Sequence, residues 1–445
     1  MTCFPIELCN LINEYDPRYN LDHTLTDKVI WQSICKNPLA IDILNAKYKR
    51  DPNNKNIYWS YVCINPAAGD IIQAEYKHDP NSSKLNWESI CYNPAAGNTI
   101  QAEYKRDLNS SKLDWNYICG NPSTVSIVIE EYRRNRNSKN IKWSSVYDNL
   151  TAIDIIQAEY ICNRNSKKLN WDRICYNAVF INIVNIEYAR DRNSSKLCWE
   201  PICWNPAAID IIQAEYTHDR NSKKLYWESI CCNPTAGGII QAEYKRNPNS
   251  SKLDWNYICS NPALIDIIHA EYERDPNNSK LNWESMCGNP AAIDLIHAEY
   301  KRDPNSSKLN WTRICISTTA VSIITAEYNR NPDSKYLNWW CICGNTAAAN
   351  IIQAEYNRNP NSSKLIWRNI CFNPLAINTI QAEYKRDSNS SKLIWKCICL
   401  NPTASSIIQA EYKRNPNSGN LDWTNIFNNP NIFTKNIEHL SCLSW

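Results

Sequence analysis

LDWNYICSNPALIDIIHAEYERDPNNSK, Leu253–Lys280, runs directly into a second copy of its own pattern, LNWESMCGNPAAIDLIHAEYKRDPNSSK, Leu281–Lys308. Each copy is 28 residues long, and the Trp at its third position recurs at that interval along the chain. The series is Trp31, Trp59, Trp87, Trp115, Trp143, Trp171, Trp199, Trp227, Trp255, Trp283, Trp311, Trp339, Trp367, Trp395 and Trp423. Fixed periods of roughly 20–50 residues mark stacked repeats, whose units bury their apolar faces against their neighbours. Burying one Trp contributes about 5 kcal/mol, whereas ordering a unit costs roughly 40 kcal/mol. A lone unit should therefore not fold, and a row of them should.

Within a unit the apolar spacing predicts two helices. The first is short and carries Trp255, Ile258 and Cys259 at i, i+3 and i+4, with Asp254 as N-cap. The second opens at Asn261-Pro262, Asn capping and Pro taking a first-turn position that needs no N–H. Its inward stripe is Ala, Ile, Ile, Tyr, as in Ala68, Ile71, Ile72 and Tyr76, and a polar D-P-N-S-S-K loop ends the unit. The expected fold is all-α, a right-handed α-solenoid of about 14–15 two-helix repeats. Residues 1–29 read as an N-terminal capping helix and connection. Residues 30–421 read as fourteen tandem repeats, and 422–445 as a degenerate final repeat and C-terminal cap.

Composition narrows the function. The 445 residues carry 48 basic and 45 acidic side chains, a net charge of +3, which argues against a whole-protein footprint for nucleic acid. The start, MTCFPIELCNLINEYDPRYN, has no cationic region before an apolar run, and no stretch approaches a membrane span. An intracellular chain that is not secreted and does not enter a membrane is expected. Thirteen of the 21 cysteines follow the repeat Trp by four residues, where the fifth unit has Tyr147 and the fifteenth Phe427. A site that accepts Cys, Tyr or Phe is a packing position. No G-x-x-x-x-G-K, G-x-S-x-G or H-E-x-x-H occurs, and the six His have no metal spacing. The loop from Asp79 begins like a calcium loop but has Ile90 where the twelfth-position Glu belongs. We expect no enzyme, no catalytic residue, no metal and no cofactor.

Three columns are candidates for binding. The residue before the capping Asn is the most varied, and Tyr92, Tyr176, Trp204, Ile316, Phe372 and Leu400 would line one edge as protein-contact residues. The outward face of the long helix carries a polar ladder: Asp70, Gln73, Gln101, Gln213, Gln241, His269, His297, Gln353, Gln381 and Gln409. A basic column, among it Arg106, Arg246 and Arg302, invites comparison with repeat proteins that read RNA. Glu three residues earlier (Glu103, Glu243) can pair with it, which makes a poor phosphate track. The reading is a protein-interaction scaffold of unknown partner. RNA binding and a structural virion role are the alternatives.

Trp, a short helix, Asn-Pro and then Ala-Ile, as in WNYICSNPALIDII (Trp255 to Ile268) and WQSICKNPLAIDIL (Trp31 to Leu44), resembles the short Trp/Asn-Pro tandem-repeat proteins of giant DNA viruses of amoebae. The resemblance covers about residues 30 to 433. Ile-Cys where the family usually has Leu-Ser, and the longer DPNSSK loop, depart from it. It implies a viral, host-directed scaffold in host cytoplasm, virus factory or virion, and no chemistry.

Overall fold

The computed structural model describes residues 27–415 and 418–429, and among them every regular element is helical. The proposed N-terminal capping helix and the tail beyond Asn429 lie outside the described residues. From Trp59 to Arg414 each repeat is a short helix beginning at its Trp, a turn, and a ten-residue helix, as in Trp255–Ser260, Pro262–Leu264 and Ile265–Arg274, while the first short helix already starts at Asp27. The fold is an α-solenoid. The second helix is shorter than the sequence suggests, because Asn-Pro opens a 3-10 turn, as at Pro262–Leu264, and the α-helix starts only after it. The expected N-caps are present: Asn86 Oδ1 accepts the Ser89 N–H at 2.9 Å and Asp114 Oδ1 accepts that of Asn116 at 2.9 Å.

The chain forms two compact units, Met1–Ala152 with Tyr356–Trp445, and Ile153–Glu355. Within each, the short helix of one repeat packs on the short helix of the next. In the first unit the helices Asp27–Lys36 and Trp423–Asn428 also pack against each other. The inward stripe is as expected, with Ala68 and Ile72 fully buried and Ile71 and Tyr76 nearly so. From Trp59 to Trp423 each repeat Trp meets the Tyr eleven residues before it edge to face: Tyr76–Trp87 centroids are 5.8 Å apart at 80°, Tyr216–Trp227 5.8 Å at 76°. Such edge-to-face pairs add to simple area burial.

The joints between repeats are stitched by the Asn of Asn-Pro, which does more than cap. Asn233, with no exposed surface, accepts the Thr235 N–H on Oδ1 at 3.0 Å. Its Nδ2 donates back into the preceding repeat, to the Cys203 carbonyl at 3.0 Å and the Asn205 carbonyl at 3.2 Å. The equivalent amides of Asn65, Asn93, Asn121, Asn149, Asn205, Asn261, Asn289, Asn345, Asn401 and Asn429 reach the carbonyl of a Cys thirty residues earlier at 2.9–3.2 Å. A buried amide with both ends satisfied stabilises; the same group half satisfied costs about 1–3 kcal/mol.

Repeat eleven has Ser317 at this place, and its hydroxyl is taken by Thr319 Oγ1 at 2.9 Å. Ser317→Asn should restore two donors toward the preceding repeat and raise the unfolding free energy by about 1–2 kcal/mol. The reverse change, Asn233→Ser, keeps a capping oxygen and should lose a similar amount. Urea unfolding followed by Trp fluorescence decides; equal midpoints for wild type and both variants would reduce the Asn to a local cap.

Candidate functional site

A carboxylate buried in the middle of the joints, the column from Glu75 to Glu411, is the main polar feature that the sequence pattern left on the surface. Glu103 has no exposed area, yet four donors converge on it. Tyr76 OH comes from the preceding repeat at 3.0 Å, Ser110 Oγ from the following loop at 2.5 Å, and Arg106 binds bidentately at 2.9 and 2.7 Å. Lys112 Nζ stands 3.9 Å away. Burial pushes the carboxyl pKa upward, but the bonds from Arg106, Ser110 and Tyr76 and the Lys112 charge outweigh it and hold it below its ordinary value. Glu131, Glu215, Glu243, Glu299, Glu327, Glu383 and Glu411 are lowered in the same way. The donating phenols move oppositely: burial, then the Glu131 charge, push Tyr104 up to about 12.

Where His stands in place of the Arg, another cation comes closer. His78 replaces it after Glu75, and Lys84 approaches to 3.1 Å. His218 replaces it after Glu215, and Arg192 of the preceding loop donates its Nε to Glu215 at 2.8 Å. These local replacements show that the buried charge requires a partner. The same Glu in almost every unit was visible in sequence, and a merely solvated face gives no reason for such constancy.

The D-P-N-S-S-K loops are a second ladder. Asp79 Oδ1 accepts its own Asn81 N–H at 2.8 Å. Lys112 Nζ donates to the Pro80 carbonyl at 2.6 Å and Asn81 Oδ1 at 2.8 Å, and sits 5.4 Å over the Trp87 ring. At Tyr336 the Lys is lost and the phenol ring stacks on Trp311 instead, 5.5 Å away at 20°. The loop residues thus join repeats. Among the described residues, no group of three or more His, Cys, Asp or Glu side chains is placed to hold a metal ion. No helix there is long and apolar enough to cross a membrane.

The column cysteines are buried free thiols. Cys203 Sγ donates to the Lys224 carbonyl at 3.5 Å, and burial pushes its pKa up to about 12; Cys259 rises to about 11 for the same reason. Protonated, buried sulfur is a poor nucleophile and metal ligand at neutral pH. Cys162 alone among the described cysteines is exposed.

The candidate edge is the last residue of the short helix rather than part of the turn, as Trp87–Tyr92 and Trp367–Phe372 show. In the first unit Tyr92 is 68% and Phe372 46% exposed, while Leu400 is half-buried. In the second, Tyr176, Trp204 and Ile316 are exposed. Tyr92 packs edge-on with Tyr117 at 5.9 Å. With Pro94, Gly120, Pro122 and Ser145 these two rings border an open groove of about 530 Å³.

The polar ladder is partly spent on joints. Gln73 accepts Thr99 Oγ1 at 2.8 Å, Gln101 accepts Ser126 at 3.2 Å, His297 pairs with Ser322 at 3.0 Å and Gln381 donates to Ser406 at 3.1 Å. Gln213 bonds Thr217 within its own helix. Asp70 and Gln241 are exposed, and His269, Gln353 and Gln409 half-buried. No family model, curated protein or solved structure matches this chain.

A carboxylate held below its ordinary pKa stabilises the fold above the unfolded value, about 4.3, and loses that contribution as pH falls through the folded value. The thermal midpoint should therefore hold down to about pH 5 and drop steeply below it. Glu243→Gln should cost about 2 kcal/mol at pH 7 through the weakened charged bonds. Acid insensitivity in calorimetry would refute the burial of this column. In native protein, iodoacetamide should modify Cys162 while the column cysteines react only after unfolding; peptide mass spectrometry reads the difference.

Proposed function

We propose that this chain is a non-enzymatic scaffold for protein–protein interaction, viral and host-directed as its repeat resemblance implies. The observation that carries the reading is a division of labour within the repeat. Asn, Glu, Tyr and Lys, which could do chemistry, are engaged in joints, and Ser, Asp and Cys in bonds within their own repeat. The short-helix terminus varies freely and presents large apolar side chains to solvent, Tyr92, Tyr176, Trp204, Ile316 and Phe372 among them. Exposed aromatic side chains on rigid helices suit binding hot spots, because little conformational entropy is lost when they are covered.

RNA binding through the Arg column is the weaker reading. Arg302 commits Nε and Nη2 to Glu299 at 3.0 and 2.5 Å, so the fork that would clasp a phosphate is already occupied by a carboxylate. The distinguishing experiment captures partners on the full chain from host extract, with and without nuclease, beside Tyr92→Ser, Trp204→Ser and Phe372→Ser variants. A protein that survives nuclease and is lost from at least one variant supports the scaffold and locates its surface. Loss on nuclease alone would transfer the function to RNA, and retention of nothing would favour a structural role.

A further inference from the structure

Long helices in this chain commonly end Ala-Glu-Tyr-Lys-Arg, as at 242–246 and 382–386, but two consecutive repeats abandon that ending together. Helix Ile153–Cys162 ends Ala-Glu-Tyr-Ile-Cys, and helix Ile181–Arg190 ends Ile-Glu-Tyr-Ala-Arg. The substitutions exchange charge and small size for apolar surface, and that surface is uncovered: Ile161 is 71% and Ile186 48% exposed. With Tyr160, Cys162, Arg164 and Arg190 they border an open groove of about 500 Å³ inside the second unit.

Arg190 behaves differently from most of its column. Arg246, Arg302 and Arg386 are each bound to the Glu three residues before them. Glu187 is instead supplied by Tyr160 OH at 2.9 Å and Ser194 Oγ at 2.6 Å, with Lys196 at 3.8 Å, and Arg190 lies exposed at the groove without an ion pair to Glu187. No acidic side chain lines the groove. An apolar surface flanked by guanidinium groups is complementary to an apolar side chain next to a carboxylate.

We propose that this groove is a docking site for an acidic amphipathic peptide segment of a partner protein, its apolar side chain on Ile161 and Ile186 and its carboxylate on Arg190. The site rests on the scaffold reading and supplies the partner's chemistry. A fatty acyl chain is a poorer occupant, because small-molecule sites enclose most of their ligand and this groove is open. A nucleic acid would need a longer cationic track and gains little from two isoleucines.

The test selects a phage-displayed library of twelve-residue peptides on the full chain and on an Ile161→Lys/Cys162→Arg/Ile186→Ala variant. That variant carries what other repeats hold at the same places (Lys245, Arg246, Ala242), so it should fold, and circular dichroism verifies this. Wild type should enrich peptides with Leu, Ile or Phe beside Asp or Glu. A fluorescein-labelled synthetic copy should bind at least about tenfold more weakly to the triple variant and to Arg190→Ala, with reduced salt dependence in the latter. Enriched peptides without carboxylates, or equal affinity for all three proteins, would overturn the site. If binding instead disappears with Tyr176→Ser or Trp204→Ser, the groove fails and the scaffold stands. Enrichment of nothing on either protein counts against both.

Discussion

The buried asparagine amide at the joint between repeats is the constraint on which the rest depends. A 28-residue unit cannot supply enough apolar burial to offset its own ordering, so its stability comes from its neighbour. Apolar faces alone would let two units slide past one another. An amide whose oxygen is bound to its own turn, and whose nitrogen must find the carbonyls of Cys203 and Asn205, fixes one register. Any slip leaves a polar group stranded in a water-free interior.

The buried glutamate applies the same logic with charge. Its desolvation is offset only when tyrosine, serine and a cation arrive together, and these come from the preceding repeat, the following loop and its own helix. That explains why the loop is as regular as the helices and why the chain shows no insertions. Where an Arg is lost at His78 or His218, a lysine or a loop arginine moves in. The departures at Ile161 and Ile186 stand out against this regularity, since they touch none of these bonds and change only what the surface offers to solvent.

The helices, their N-caps, the apolar stripe and the packing role of the cysteines were legible in sequence because they follow from local spacing and from which residues share a column. The two-helix unit came out with one adjustment, the 3-10 turn at Asn-Pro, which shortens the long helix. The placement of Glu was not legible from its local context, because Arg at i+3 on a helix is the ordinary signature of a solvated face. Only the stacking of a second repeat brings a phenol 27 residues away onto the same carboxylate. The edge residues were found as a column, but their position at a helix terminus, and the half-burial of Leu400 beside the exposure of Tyr92, depend on neighbours.

The sequence by itself therefore determined the repeat, its length, its two helices and the apolar face that each must bury, since periodicity and capping act within a few residues. The tertiary structure alone decided which polar groups are interior, which cations are spent on buried carboxylates and which, like Arg190, are left exposed. Hydrogen-bond satisfaction and desolvation are properties of the joint, and a joint exists only once two repeats are in contact.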